Sequence, residues 1–232
     1  MKPLWICLLT FVIALCSCER KELETAPQGA GEVKSQGGVS LEERRTRTRD
    51  LHARAGADQS VYDSQEWFEV MDDHGPAYKA QLIECIREAE SITITEHSDR
   101  VDFYEPGGPL QQNPPIFEYR TIVLTENQKY AFLRAVEEME AATEYGSNRC
   151  GFEAHHRLTF LRDGQNVSSI SICFKCGEAL WSQTEFTEPK GLMDVLRSAV
   201  EGAGLEPERD WRALAKAWKK QAGNPEGAGA SD

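Results

Sequence analysis

Apolar residues recur every three or four positions at Tyr78, Leu82, Cys85, Ile86 and Ala89. That is the period of a helix with one buried face, so residues 77–90 are read as a helix, with Gly75-Pro76 as a break before it. Asp63-Ser64-Gln65-Glu66 stands ahead of Trp67, Phe68, Val70 and Met71 and reads as the cap of a short helix. Ser91-Ile92-Thr93-Ile94-Thr95-Glu96-His97 changes the rhythm to strict alternation with β-branched residues, a strand. Residues 117–124 form a second strand, and Thr125-Glu126-Asn127 caps a helix striped by Tyr130, Phe132, Leu133, Val136 and Met139. The glutamates outside that stripe read as a solvated face. Further strands are expected at 157–162, 167–174 and 179–186. Helices follow on Met193, Val195, Leu196, Ala199 and Val200, and on Trp211, Leu214, Ala215 and Trp218.

The resulting order, α-β-β-α-β-β-β-α-α, predicts an α+β fold: one domain at 60–220, an antiparallel sheet, and helices packed on one face. Residues 98–115 hold two proline clusters and read as a long loop; 221–232 is a Gly- and Ala-rich tail.

The hairpin at 157–174 predicts its own register. Leu158, Phe160, Ile170, Ile172 and Phe174 share one parity, and Arg157, Thr159, Ser169, Ser171 and Cys173 the other. Successive side chains of a strand point to opposite faces. Holding the apolar set together requires Leu158 opposite Ile170, which calls for a three-residue loop, Asp163-Gly164-Gln165, with Gly or a bulge taking its left-handed position. His155 and Cys173 then fall on the solvent side, and His156 on the core side near Phe174. Residues 150–156 arrive beside 173–176.

Composition sharpens the picture at the ends. The 232 residues carry a net charge of -12, which argues against nucleic acid as a partner. Met1-Lys2-Pro3 leads into an apolar run to Leu15 that is shorter than the ~20 residues of a spanning helix and matches the core of a signal peptide. Leu15-Cys16-Ser17-Cys18 resembles the lipobox of bacterial lipoproteins. The resemblance implies removal of residues 1–17, acylation of Cys18 and attachment to the cell-envelope membrane. Glu19 is not the Asp that family uses for inner-membrane retention, so the outer membrane is expected in a Gram-negative source. Each buried acyl CH2 contributes about 0.8 kcal/mol, so several chains anchor firmly. Residues 18–59 are expected to be a polar tether, with 41–57 a solvated arginine-rich helix or a contact for anionic lipid heads.

The pointed chemistry lies in Cys150-Gly151-Phe152-Glu153-Ala154-His155-His156 and Ile172-Cys173-Phe174-Lys175-Cys176. These segments resemble a group of uncharacterised bacterial proteins with Cys-x-aromatic-x-Pro-x-His, a hairpin and Ile-Cys-Phe-x-Cys, with Ala154 standing in place of the Pro. The resemblance spans about residues 80–205 and implies no activity. Four readings follow from the residues. Cys150 pairs with Cys173 or Cys176 in a disulfide, as an exported chain allows. Alternatively Cys150, Cys173, Cys176 and His155 or His156 hold zinc. Cys173 and Cys176 form an exchange pair, although they end a strand rather than begin a helix. Or the thiols are simply buried, as Cys85 is in its helical stripe. His97 reads as a surface residue. No nucleophile elbow, phosphate loop, zincin motif or dinucleotide fingerprint is present. The expectation is therefore a membrane-anchored, non-catalytic binding or structural domain without a cofactor, serving an envelope protein or ligand; the alternative is a zinc or thiol-redox protein.

Overall fold

The structure is a computed structural model that describes residues 39–104, 114–146 and 150–222. The leader, Cys18, most of the tether, and residues 105–113, 147–149 and 223–232 lie outside the described residues.

The elements run α1 (Leu41–Ala57), α2 (Gln65–Asp72), α3 (His74–Glu88), β1 (Ser91–His97), β2 (Glu118–Val123), α4 (Glu126–Glu138), β3 (His156–Arg162), β4 (Gln165–Cys173), β5 (Glu178–Trp181), α5 (Leu192–Gly202) and α6 (Trp211–Ala222). Short 3-10 turns occupy Gln59–Asp63 and Arg100–Phe103. The strands form one antiparallel sheet in the order β2-β1-β3-β4-β5. One face carries Ile92, Ile94, Leu158, Phe160, Ile170 and Ile172, all fully buried beneath Tyr78, Leu82, Ile86, Phe132, Leu196 and Val200 of α3, α4 and α5. The expected α+β architecture is thus observed. The opposite face is lined by hydroxyls; Thr95 and Thr121 meet across β1 and β2 at 3.0 Å.

The hairpin keeps the anticipated pairing of Leu158 with Ile170 but reaches it differently. Its turn has two residues, Asp163 (φ 52°) and Gly164 (φ 69°), both left-handed as a type I′ turn requires. The odd residue is taken up by a bulge, because Phe160 faces Ser168 while Leu161 faces Asn166, leaving Val167 extra. β5 ends at Trp181, well short of the expected 186.

Two further expectations are corrected. Gly75-Pro76 does not break the chain but lies in the first turn of α3. A proline is tolerated there because its missing N–H has no intrahelical acceptor anyway. The packed body also begins at Val39 rather than near residue 60, since α1 buries Thr48, Leu51 and Ala55. Its arginines face protein carboxylates: Arg44 pairs with Asp73, Arg49 with Glu185 at 2.8 Å, and Arg54 with Glu66 at 2.7 Å.

His74 joins three of these segments. Its Nδ1 accepts the Thr187 N–H at 3.1 Å, so the ring proton is on Nε2, which donates to the Thr48 hydroxyl at 3.1 Å. Burial holds this imidazole neutral, its pKa pushed down to about 4.

Candidate functional site

The antiparallel ribbon gathers the cysteine and histidine segments at one corner. His156 stands opposite Ile172, and the His155 N–H donates to the Ile172 carbonyl at 3.3 Å. Cys150 is bonded to Cys176, their Cα atoms 5.7 Å apart. Lys175 pairs with Glu153 at 3.0 Å and fastens the same two segments. Of the two partners the sequence allowed, Cys176 is chosen because it sits on the turn beyond β4, next to the incoming chain. Cys173 ends the strand itself. It remains a thiol, fully buried, and its sulfur accepts the Cys176 N–H at 3.3 Å. With two of the three sulfurs joined, the thiolates required by a Cys3His zinc site are not present together. Among the described residues no group of three His, Cys, Asp or Glu side chains is arranged to hold a metal ion.

The histidines are placed more deeply than expected. His155 and Cys173 were expected to face solvent, yet both are buried. What covers His155 is Trp211 at the start of α6, stacked on it with ring centroids 4.6 Å apart and planes 5° from parallel. The His155 Nε2–H donates to Asp102 at 3.1 Å, and Asp102 is itself only 2% exposed. Trp211 also meets His156 edge-on at 5.4 Å. Neighbouring residues on an extended chain point opposite ways, so one ring reaching both must sit across the end of the sheet. His97, expected at the surface, is buried, and its Nδ1–H donates to the Ser98 carbonyl at 3.0 Å.

His156 lies on the core side beside Phe174, as its parity demands, at a centroid distance of 5.2 Å. Neither ring nitrogen has a hydrogen-bond partner among the described residues. The closest carboxylate is Glu96, at 3.9 Å from Nε2. Glu96, 1% exposed, is occupied by Arg209 at 3.2 Å and by the Glu206 N–H at 3.2 Å. Burial first, then the neighbouring His155 and His97, push the His156 pKa down to about 3. An imidazole so placed stays neutral and packs as an aromatic side chain.

The corner therefore spends its ionisable groups on one another: His155 on Asp102, and Arg209 on Glu96. These contacts pin the Arg100–Phe103 turn and the 206–211 segment to the end of the sheet. The sequence marks Trp211 only as part of a helical stripe, and does not mark Glu96, Asp102 or Arg209 as members of this corner. Glu96 carried a usable signal, since it shares the inward parity of Ile92 and Ile94. Asp102 and Arg209 lie in irregular segments where no period betrays them. Compared with known proteins, the chain matches no family model, no curated protein and no solved structure.

The buried histidines set a response to acid. In the unfolded chain His74 and His156 take up protons below about 6.5; in the native chain they resist until about 4 and about 3. Their contribution is full above pH 6.5 and falls as pH drops. His97 is shifted down as well and acts in the same sense. Glu188 opposes them. Its carboxyl is pushed up to about 7, chiefly by burial, so its contribution is full below pH 4.5 and fades as pH rises towards 7. The histidines outnumber it, so stability is expected to rise with pH from 4.5 to 6.5. Urea midpoints across that range measure it. His156→Phe should make the slope shallower by one proton's worth, about 1.4 kcal/mol per pH unit. An unchanged slope in that variant would show that His156 is not a source.

Proposed function

We propose that this chain is a lipid-anchored cell-envelope protein whose disulfide-stapled α+β domain binds or supports another envelope component without catalysing a reaction. The bridge between Cys150 and Cys176 carries this reading. Disulfides persist in oxidising compartments, and the same chain opens with an export-type leader and a lipobox-like Leu15-Cys16-Ser17-Cys18. The corner around the bridge supports a structural role, because its carboxylates are neutralised by partners and its histidines are covered by Trp211 and Phe174.

Anchoring is tested through Cys18. The native protein is expected in the membrane fraction, carrying radiolabelled palmitate, and Cys18→Ser is expected in the soluble fraction without label. A Cys18→Ser protein that stays in the membrane would sink the lipoprotein reading.

A second reading, thiol exchange, is favoured by Cys173, a thiol whose sulfur accepts a hydrogen bond from Cys176. Deprotonated, it would attack the Cys176 sulfur and release Cys150 as a thiolate, conserving one disulfide and one thiol. Its complete burial argues against meeting an external substrate. Catalysed reduction of insulin that disappears in Cys173→Ser would establish this reading over the first.

A further inference from the structure

We propose that the groove between the outer edge of β5 and the 184–190 segment is a binding site for a cationic group, an ammonium or guanidinium, carried on an apolar stem. The proposal deepens the binding reading above and rests on it.

The groove has a volume of about 610 Å³, within the range of small-ligand sites. Its wall is apolar: Trp181 and Phe186 are both buried, and Met193 joins them. Tyr78 also lines it, with its ring edge-on to Trp181 at 5.0 Å. Tyr78 is only 1% exposed, and its hydroxyl has no hydrogen-bond partner among the described residues. A buried hydroxyl without a partner is destabilising, a cost that an arriving hydrogen-bonding ligand would remove.

Glu188 supplies the charge. One carboxylate oxygen accepts the Ala179 N–H of the strand edge at 3.1 Å, and the other has no hydrogen bond among the described residues. Glu144 lines the same groove, its backbone N–H bonded to the Glu188 carbonyl at 2.9 Å. Burial and neighbouring carboxylates make it costly to ionise Glu188 in the empty groove. A cation seated beside it would reverse that cost, whereas an anion would add to it. Lys190 lines the groove as well, but it is exposed and makes no ion pair among the described residues. The position is held from behind. Thr143 bridges to Pro189, the Lys190 N–H donates to the Ala142 carbonyl at 2.9 Å, and the Cys150–Cys176 bridge lies just before Gly177 on the groove's rim.

The test uses the full chain in detergent and follows the Ala179 amide by nuclear magnetic resonance, because that N–H sits on Glu188. The probes are hexylammonium, hexanol, hexanoate, and capped tripeptides with a central lysine, arginine or norleucine. Hexylammonium or the basic peptides should shift the Ala179 resonance in a saturable way. The neutral and acidic counterparts should bind at least tenfold more weakly. Preference for the peptides would assign the cation to a protein side chain, and preference for hexylammonium to a free amine; either supports the proposal. Glu188→Gln, which keeps an acceptor for Ala179, should weaken the cation at least tenfold. Tyr78→Phe should weaken it about threefold, with the remaining amide spectrum unchanged in both variants. Binding that ignores Glu188→Gln, equal binding of hexanol or hexanoate, or no binding by any probe would overturn the cation site. Binding by the neutral or acidic probe would leave the broader binding reading standing. Recovery of a chemically altered probe would instead defeat the non-catalytic reading.

Discussion

Replacing Gly75 by alanine is expected to destabilise the domain severely. A Cβ at this position would lie 2.2 Å from the Ala141 carbonyl oxygen, 2.8 Å from the Thr143 nitrogen and 2.9 Å from the Ala142 carbon. All three are backbone atoms, so no side chain can swing aside. The neighbourhood is also tied down: the Gly75 N–H donates to the Thr143 hydroxyl at 2.8 Å, and that hydroxyl donates to the Met71 carbonyl at 2.7 Å. Moving the 141–143 segment would break both bonds and disturb the Thr143–Pro189 bridge. Overpacking alone costs about 1–3 kcal/mol, and each lost buried hydrogen bond adds about 1 kcal/mol. A loss of about 3–5 kcal/mol is therefore expected, a large part of the 5–15 kcal/mol that holds a typical domain. Gly56→Ala is the control. It lies in α1 with nothing within 4 Å of the added carbon, so it should stabilise by about 0.5–1 kcal/mol. Chemical denaturation of the two variants measures both. Near-native stability in Gly75→Ala would mean that the 141–143 segment does not pack against α3 as described.

Gly75 also shows where sequence reasoning stops. Glycine followed by proline is a sound breaker signal, and nothing local says that this glycine is needed for a neighbour 66 to 68 residues away. Periodic segments were legible because burial imposes the period. The alternation in Ser91–His97 and the stripe in α3 each point to one buried face, and the shared parity of Leu158, Ile170 and Ile172 sufficed to set the hairpin register. The turn is not legible in this way, because a two-residue type I′ turn with a bulge and a three-residue loop satisfy the same parity. The convergence of Cys150 with Cys176 followed from that register. The burial of His155 did not, because Trp211 arrives from 56 residues later in the chain. Helix α1 has the opposite history. Its many arginines hide a narrow stripe, Thr48, Leu51 and Ala55, spaced three and four apart. Such a stripe suffices to dock a helix but is faint among charges.

Replacing Cys150 by serine is expected to cost about 2–4 kcal/mol of stability. The bridge joins positions 26 residues apart and closes a loop that contains the whole β3–β4 hairpin. In the chain-entropy account, that loop restricts the unfolded ensemble; cutting it returns the lost freedom to the unfolded chain. A fall in melting temperature of about 10 °C is expected, given a shift of about 2–4 °C per kcal/mol for a domain of this size. Thiol counting fixes the interpretation. Of the cysteines in the described residues, Cys85 and Cys173 are free in the native protein, and reduction should release two more thiols, those of Cys150 and Cys176. In Cys150→Ser, Cys176 keeps Cys173 as a near neighbour, so a substitute bridge between them would mask part of the loss. The double variant Cys150→Ser, Cys173→Ser removes that route and should show the full destabilisation. Equal melting temperatures for the native protein and the double variant would show that the corner stands without its covalent tie. If reduction released no further thiols, the support that the bridge lends to an oxidising compartment would fall as well.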